Sequence, residues 1–124
     1  MVKMLQRWLP VVLWMWVMWH FSAQPSLMAT EVDWLDFVIK KSAHLGEYAI
    51  LFLLSYRAFG GKNRAAQKAF LLGLIYAFSD ETHQMFTPGR TALLRDVMVF
   101  DGLGLISGWL IIWKVKFVNK WLKK

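Results

Sequence analysis

Four long runs of apolar residues, separated by short polar stretches, dominate the pattern of the chain. They extend from about Trp8 to Ala23, from about Ala43 to Phe59, from about Ala69 to Phe86 and from about Val97 to Trp113. Each run is close to the roughly 20 residues that a helix needs to cross about 30 Å of hydrocarbon. Backbone polar groups in lipid must be satisfied within a segment, so runs of this length indicate helices. The pattern predicts an all-α integral membrane protein, a four-helix transmembrane bundle forming one domain over residues 1–124.

The stretches between the runs contain residues that interrupt helices. Pro25 follows the first run, Gly60 and Gly61 follow the second, and Pro88-Gly89 follows the third. Apolar residues between Val32 and Ile39 predict a short helix at the membrane interface. The first run is rich in tryptophan and ends in a poor cleavage site for a signal peptide, so we expect it to be retained as a helix.

Charged residues are distributed unequally between the two sides to which alternating helices would assign the loops. Of the fifteen Lys and Arg residues, eleven fall on the side of the two termini, and all eight acidic residues fall on the other side. Because cytoplasmic flanks are rich in Lys and Arg, both termini are predicted to be cytoplasmic, in a bacterial cytoplasmic membrane. The net charge of +7 is then explained by flanks that bind anionic membrane lipids, and no nucleic-acid partner is predicted. The absence of cysteine excludes disulfides and thiolate chemistry.

Several ionisable side chains lie inside the predicted spans, toward the acidic side. Such residues cost ~2.5 to 3.5 kcal/mol each at mid-bilayer, so they usually face protein or water. Lys41, His44 and Glu47 recur at a spacing of three and are expected to share one helix face with Tyr48 nearby. Asp80, His83 and Gln84 share a face of the third helix by the same spacing, and Glu81 points elsewhere.

The fourth run adds acidic residues at its beginning. Asp96 lies at its start, where a helix cap and a site residue are equally good interpretations, and Asp101 lies about a turn further on. Glycines after Asp101 permit close approach of another helix. We therefore expect polar groups from three helices to meet at the outer end of the bundle. The candidate binding or catalytic residues are Lys41, His44, Glu47, Tyr48, Asp80, Glu81, Gln84, Arg90, Asp96 and Asp101.

These residues form three motifs in a fixed order. They are Lys41-x-x-His44-x-x-Glu47-Tyr48, then Ser79-Asp80-Glu81-x-x-Gln84-x-Phe86-x-Pro88-Gly89-Arg90, then Asp96-Val97 with Asp101-x-x-Gly104. In this respect the sequence resembles the VanZ-like family of bacterial membrane proteins. The resemblance implies a four-span membrane protein, and the founding member is associated with low-level resistance to the glycopeptide antibiotic teicoplanin. It implies no reaction.

The chain departs from that family pattern at Asp101. Relatives often have Asn at this position, and the preceding stretch is one residue longer here than is usual among them. If the Asn has a neutral hydrogen-bonding role, an Asp needs either a proton or a nearby cation.

Three functions are compatible with the polar residues. The first is binding of a cell-envelope ligand, namely a lipid head group, a wall precursor or a glycopeptide or lipopeptide. The second is an enzyme acting on a lipid-linked or phosphorylated envelope substrate by acid-base or metal-assisted chemistry. The third is a purely structural cluster whose groups satisfy one another. No catalytic residue is assigned and no cofactor is predicted. Whether the protein binds a divalent cation is left open at this point. The candidate ligands for such an ion are His44, Glu47, Asp80 and His83.

Overall fold

The structure is a computed structural model that describes residues 1–22, 32–62, 64–86 and 97–122. Every regular element in these ranges is helical, which confirms the all-α prediction. The elements are α1 (Val2–Ser22), α2 (Asp33–Ala58), α3 (Ala65–Gln84), a π-helical turn (Val97–Asp101) that leads into α4 (Gly102–Lys114), and α5 (Lys116–Leu122). Within the described ranges, no helix combines the length and the apolar character that a membrane crossing requires.

Consecutive long helices run in opposite directions. Near the start of α1, Trp8 packs edge-on against Phe59, just past the end of α2, at 5.0 Å between ring centroids. Near the end of α1, Trp19 stacks on His83 at the end of α3. The fold therefore has two ends. We call the end that contains the starts of α2 and α4 the polar end, and the end that contains the start of α1 and the end of α2 the basic end.

Helix α2 lies at the centre and contacts α1, α3 and α4. Tyr48, Leu51 and Phe52 are completely buried on it, and Phe52 stacks against Trp109 of α4 at 5.9 Å. A central helix that meets three neighbours must be apolar on most of its circumference. The second apolar run satisfies this requirement on most faces of α2, apart from the face that carries His44 and Glu47.

Helices α2 and α4 approach closely because α4 presents two glycines to α2. A Cβ atom on Gly104 would lie 2.6 Å from the carbonyl oxygen of Leu45, and one on Gly108 would lie 2.8 Å from the ring of Phe52. Both distances are shorter than the closest approach of a carbon atom, so a side chain at either position would require the backbone or the ring to shift. The Gly-x-x-x-Gly spacing of α4 thus sets how near the two helices lie.

Helix α2 begins ten residues before the start of the second apolar run, and it includes the segment predicted as a separate interfacial helix. No Pro or Gly interrupts the chain between Asp33 and Leu45. Asp33 and Asp36 lie in the first turn, where acidic side chains interact favourably with the helix dipole. Lys40 also pairs with Asp36 at 2.9 Å, one turn apart. These local interactions extend the helix beyond its apolar part.

The turn from α2 to α3 is closed by two glycines. Gly60 and Gly61 have φ values of +94° and +64°, in the left-handed region that glycine adopts without strain. Their N–H groups donate to the carbonyl oxygens of Arg57 and Tyr56 at 3.0 Å each, which is the pattern of a Schellman helix end. The Tyr56 hydroxyl donates to the Gly61 carbonyl at 2.6 Å. This turn holds the last residues of α2 at the basic end.

Candidate functional site

The polar face of α2 lies at the polar end of the fold. His44 and Glu47 are half-buried, and Tyr48 is completely buried. The His44 and Tyr48 rings are almost parallel, with centroids 6.1 Å apart. Spacing of three or four residues brings these side chains to one side of the helix, as the sequence predicts.

His44 contacts the buried carboxyl group of Asp101 across 57 residues of chain. The distance from Nδ1 to Oδ1 is 3.2 Å, and Asp101 is only 2% exposed. The resemblance implies that, if the Asn of the relatives has a neutral hydrogen-bonding role, an Asp here needs a proton or a nearby cation. His44 is a nearby cation when it is protonated, and as a neutral imidazole it can donate a hydrogen bond to the carboxylate.

Asp101 is the last residue of the π-helical turn. Such a turn has wider hydrogen-bond rings than an α-helix and occurs as a single-turn bulge, frequently at functional sites. Such a bulge accommodates one more residue than an α-helical turn does. The turn therefore sets the direction in which the Asp101 carboxyl group points.

Helix α3 contributes Asp80 and Gln84, which are 4% and 5% exposed. The Gln84 amide donates to Oδ2 of Asp80 at 3.4 Å. The carboxyl groups of Asp80, Glu47 and Asp101 all lie close enough to Tyr48 to interact with it electrostatically. Side chains from α2, α3 and the π turn thus meet in one place. We call this group the polar cluster, and its members are His44, Glu47, Tyr48, Asp80, Gln84 and Asp101.

The Tyr48 hydroxyl is buried and has no hydrogen-bond partner among the described residues. A buried hydroxyl without a partner costs roughly 1 to 3 kcal/mol. The neighbouring Tyr76 differs, because its hydroxyl donates to the backbone oxygen of Met15 at 2.7 Å. The centre of the polar cluster therefore contains a donor that the described part of the protein does not use.

Other predicted residues lie elsewhere or outside the described ranges. His83 was expected to share the face of Asp80 and Gln84, but its ring stacks on Trp19 of α1, 3.9 Å away and tilted by 7°. Glu81 is half-buried near the end of α3. Arg90 and Asp96 lie outside the residues that the structure describes.

The four candidate metal ligands do not assemble into one site. Over the described ranges, no group of three or more His, Asp or Glu side chains is arranged to hold a metal ion. For His83 the physical reason is its stack on Trp19, which directs this imidazole toward α1.

Lys41 lines an apolar groove beside the polar cluster. Its ammonium group lies 4.7 Å from the ring centroid of Phe100, the residue before Asp101, and 5.8 Å from that of Phe37. The groove has a volume of about 230 Å³. Its lining residues are Phe37, Val38, Lys41, Ser42, Leu45, Phe100 and Leu103.

Sequence reasoning included Lys41 and missed the apolar members of this groove. The sequence does contain a pattern that could have predicted this groove, because Phe37, Val38, Lys41 and Leu45 follow the spacing of one helix face. The assignment of residues 32–39 to a separate interfacial helix concealed this continuity.

Comparison with known proteins agrees with the motifs. The profile of the VanZ/LLP1 family matches residues 7–118, which include α1 from Arg7 onward, all of α2, α3 and α4, and every member of the polar cluster. No curated protein and no solved structure matches the chain. Since the match extends over most of the sequence, the chain belongs to the VanZ/LLP1 family.

Proposed function

We propose that this VanZ/LLP1 protein lies in the bacterial cytoplasmic membrane and that its polar cluster, with the adjoining Lys41 groove, binds a lipid-linked ligand of the cell envelope. The observation that carries the proposal is the buried Tyr48 hydroxyl, which has no partner among the described residues. The carboxyl groups of Glu47, Asp80 and Asp101 lie near enough to interact with it electrostatically. A polar group of a ligand would satisfy it.

Membrane location is supported by the surface of the helices around α2. Soluble monomers rarely expose extensive apolar patches. Here large apolar side chains are exposed on α1, α3 and α4, among them Leu13, Trp16, Leu71, Ile75, Leu103 and Trp113. Tryptophan and flanking Lys or Arg side chains also allow short helices to adapt to a bilayer. We infer that lipid covers these faces.

The proposed orientation places the polar end outside the cell. The chain has no Asp or Glu in its first 30 residues, between residues 48 and 79, or after residue 101, and most of its Lys and Arg residues fall in these segments. The positive-inside rule then assigns the basic end to the cytoplasm. The polar cluster would face the compartment in which envelope lipids and wall precursors are handled.

The groove suggests what kind of molecule binds. Its walls are mostly aromatic and aliphatic, and the single charged group among its lining residues is the Lys41 ammonium. An amphiphile fits this combination, since its hydrocarbon chain would contact Phe37 and Leu103 and its phosphate would interact with Lys41. The head group would then extend toward His44 and the rest of the polar cluster. Sequestering a wall precursor or a glycopeptide in this way would also account for teicoplanin-type resistance.

One observation favours a catalytic alternative. The contact of His44 with Asp101 has the arrangement of a general base oriented by a carboxylate. A water molecule activated by His44 could attack a phosphoester of the same lipid-linked substrate, because no side-chain nucleophile is assigned. Under this alternative the groove has the same role and the bound lipid is hydrolysed.

The test measures binding of a fluorescent polyprenyl phosphate to the full chain in nanodiscs. Lys41 and Lys40 are adjacent lysines, but only Lys41 lines the groove, while Lys40 pairs with Asp36. We expect Lys41→Ala to weaken binding by roughly ten-fold, because a charge-assisted hydrogen bond is lost. The matched variant Lys40→Ala should change binding less than two-fold.

Equal effects of the two lysine variants, or no saturable binding by the unmodified chain, would refute a groove site and leave a structural role for the cluster. Incubation with a radiolabelled polyprenyl phosphate distinguishes binder from enzyme. Release of labelled phosphate that His44→Gln abolishes would favour hydrolysis, and recovery of intact lipid would favour binding alone.

A further inference from the structure

A second pocket lies at the basic end, far from the polar cluster along α2. Lys3, Gln6 and Arg7 of α1 and Arg57 of α2 line it, and its volume is about 210 Å³. Three of its four lining side chains are cations and the fourth is an amide. All four present N–H groups, so the pocket offers donors to an anion.

Packing holds both helices that form this pocket. Lys3, Gln6 and Arg7 share one face of α1 by their spacing. Trp8 packs against Phe59, which fixes the start of α1 against the end of α2. The Arg7 guanidinium lies beside Gly60, with Nη1 3.9 Å from where a Cβ would be. The half-buried Arg7 and Arg57 side chains therefore belong to a packed corner of the fold, and the exposed Lys3 and Gln6 lie at its edge.

Arg57 is oriented by a tryptophan. Its guanidinium carbon lies 5.1 Å from the ring centroid of Trp121 on α5. The Nε atom is buried and has no hydrogen-bond partner among the described residues. Stacking on an aromatic ring restrains the plane of a guanidinium, and a planar guanidinium binds phosphate oxygens in pairs. Arg57 is thus prepared to bind a phosphate group.

No carboxylate side chain belongs to the segments that form this end. The first 30 residues, residues 48–79 and the residues after 101 contain no Asp or Glu, while Lys62, Arg64 and Lys68 add positive charge to the turn after α2. Cations held close together without acidic neighbours repel one another. A bound anion would remove this repulsion.

Volume restricts the size of the anion. Pockets that hold drug-sized ligands usually have about 300 to 1,000 Å³. The basic pocket is smaller, at about 210 Å³. It suits a phosphate group and part of its ester, not a nucleotide or a large metabolite.

We infer that the pocket of Lys3, Gln6, Arg7 and Arg57 is a phosphate-binding site, occupied by the head group of an anionic phospholipid or by a soluble phosphate. The site is independent of the ligand of the polar cluster. Membrane location favours the lipid as the source, because Lys and Arg next to a membrane attract anionic head groups.

The test is native mass spectrometry of the full chain in detergent, titrated with dioleoyl phosphatidylglycerol. We expect one lipid to bind, and Arg7→Gln and Arg57→Gln each to raise its dissociation constant roughly ten-fold, because a charged pair of hydrogen bonds is lost. The matched control is Arg64→Gln, which removes the same charge from an exposed residue at the same end outside the pocket lining. We expect it to change the constant less than two-fold.

A second arm identifies the source of the phosphate. If millimolar inorganic phosphate displaces the lipid from the unmodified chain, and this effect is lost in the two pocket variants, the site binds a soluble anion. If inorganic phosphate does not displace the lipid, the site binds the lipid head group. Arg57 is the arginine that stacks on Trp121. The Arg7→Gln variant leaves that stack in place, so it tests the site even if Arg57→Gln lowers the yield of folded protein.

Equal losses of lipid affinity in all three arginine variants would indicate a diffuse electrostatic attraction of the lipid to this end, and this result would overturn the inference. Normal lipid binding by both pocket variants would overturn it as well. The Lys41→Ala variant should bind phosphatidylglycerol normally. Failure of the groove proposal and failure of this inference are therefore distinguishable.

Discussion

At the scale of single residues, the contact between His44 and Asp101 joins α2 to the start of α4. The Asp101 side chain is 3% exposed, and about a quarter of the His44 side chain is accessible. Removing one partner of a buried polar pair is usually more harmful than replacing the pair, because the other partner remains without compensation. This asymmetry leads to a prediction that does not depend on any ligand.

We expect His44→Ala to lower the free energy of unfolding by about 2 to 3 kcal/mol, because the buried Asp101 carboxylate loses its imidazole neighbour. Asp101→Asn keeps a hydrogen-bonding group of the same size and should cost less than about 1 kcal/mol. The measurement is thermal and denaturant-induced unfolding in mild detergent. In the double variant the losses should be smaller than their sum, and strict additivity would show that the two side chains do not interact.

The two buried tyrosines of the central region provide a second residue-scale prediction. Tyr48 has a hydroxyl without a described partner, whereas the Tyr76 hydroxyl donates to Met15. Tyr48→Phe should leave stability unchanged or raise it by up to about 1 kcal/mol, and Tyr76→Phe should lower it by about 1 kcal/mol.

The same tyrosine variants address function. If a ligand uses the Tyr48 hydroxyl, Tyr48→Phe should weaken binding of the polyprenyl phosphate while the protein stays folded. A loss of stability in Tyr48→Phe equal to that in Tyr76→Phe would instead show that the hydroxyl has a structural partner.

At the scale of elements, the contact of α2 with α4 depends on glycine. Gly104 lies against Leu45 and against Tyr48 of the polar cluster, and Gly108 lies against Ala49 and Phe52. Any separation of these helices also separates His44 from Asp101. The packing and the polar cluster are therefore coupled.

We expect Gly104→Ala to destabilise the protein by roughly 1 to 3 kcal/mol, because the added methyl group collides with the backbone of α2. Gly46→Ala is the matched control, since a Cβ there would have no neighbour within 4 Å. It should be neutral or stabilising by up to about 1 kcal/mol, owing to the better helix propensity of alanine. Unfolding of the two variants under identical conditions makes the comparison, and similar values for both would contradict the close-packing argument.

At the scale of the whole molecule, charge divides the fold into two ends with different chemistry. Every acidic residue that the structure describes belongs to the part of α2 from Asp33 to Glu47, the end of α3 or the π turn, all toward the polar end. The basic end has an excess of Lys and Arg. If the protein spans a membrane, this division sets its orientation.

Because the chain contains no cysteine, a single introduced cysteine reports orientation without interference. Asp33 is exposed at the polar end and Lys62 is exposed at the basic end. A membrane-impermeant maleimide should label Asp33→Cys in intact spheroplasts, and it should label Lys62→Cys only after permeabilisation. Labelling of both variants in intact spheroplasts, or of Lys62→Cys alone, would contradict the proposed arrangement.

Much of the secondary structure was predictable, because helix formation and charge are local properties. The apolar runs predicted α1, α3 and the π turn with α4, although α1 begins six residues and α3 four residues before the predicted start. The exception is α2, whose first ten residues are stabilised as a helix by acidic side chains near the positive end of the helix dipole and by the pairing of Lys40 with Asp36. Hydropathy alone therefore did not predict these residues as part of the helix.

The sequence by itself determined which side chains share a helix face and which segments are acidic or basic. Only the tertiary structure decided which faces meet: His44 with Asp101, His83 with Trp19 instead of with Asp80, and Arg7 with Arg57 in one pocket. The physical reason is that periodicity acts within one helix, whereas partners on different helices depend on how closely the helices pack. Here that packing is governed by Gly104, Gly108 and the π turn.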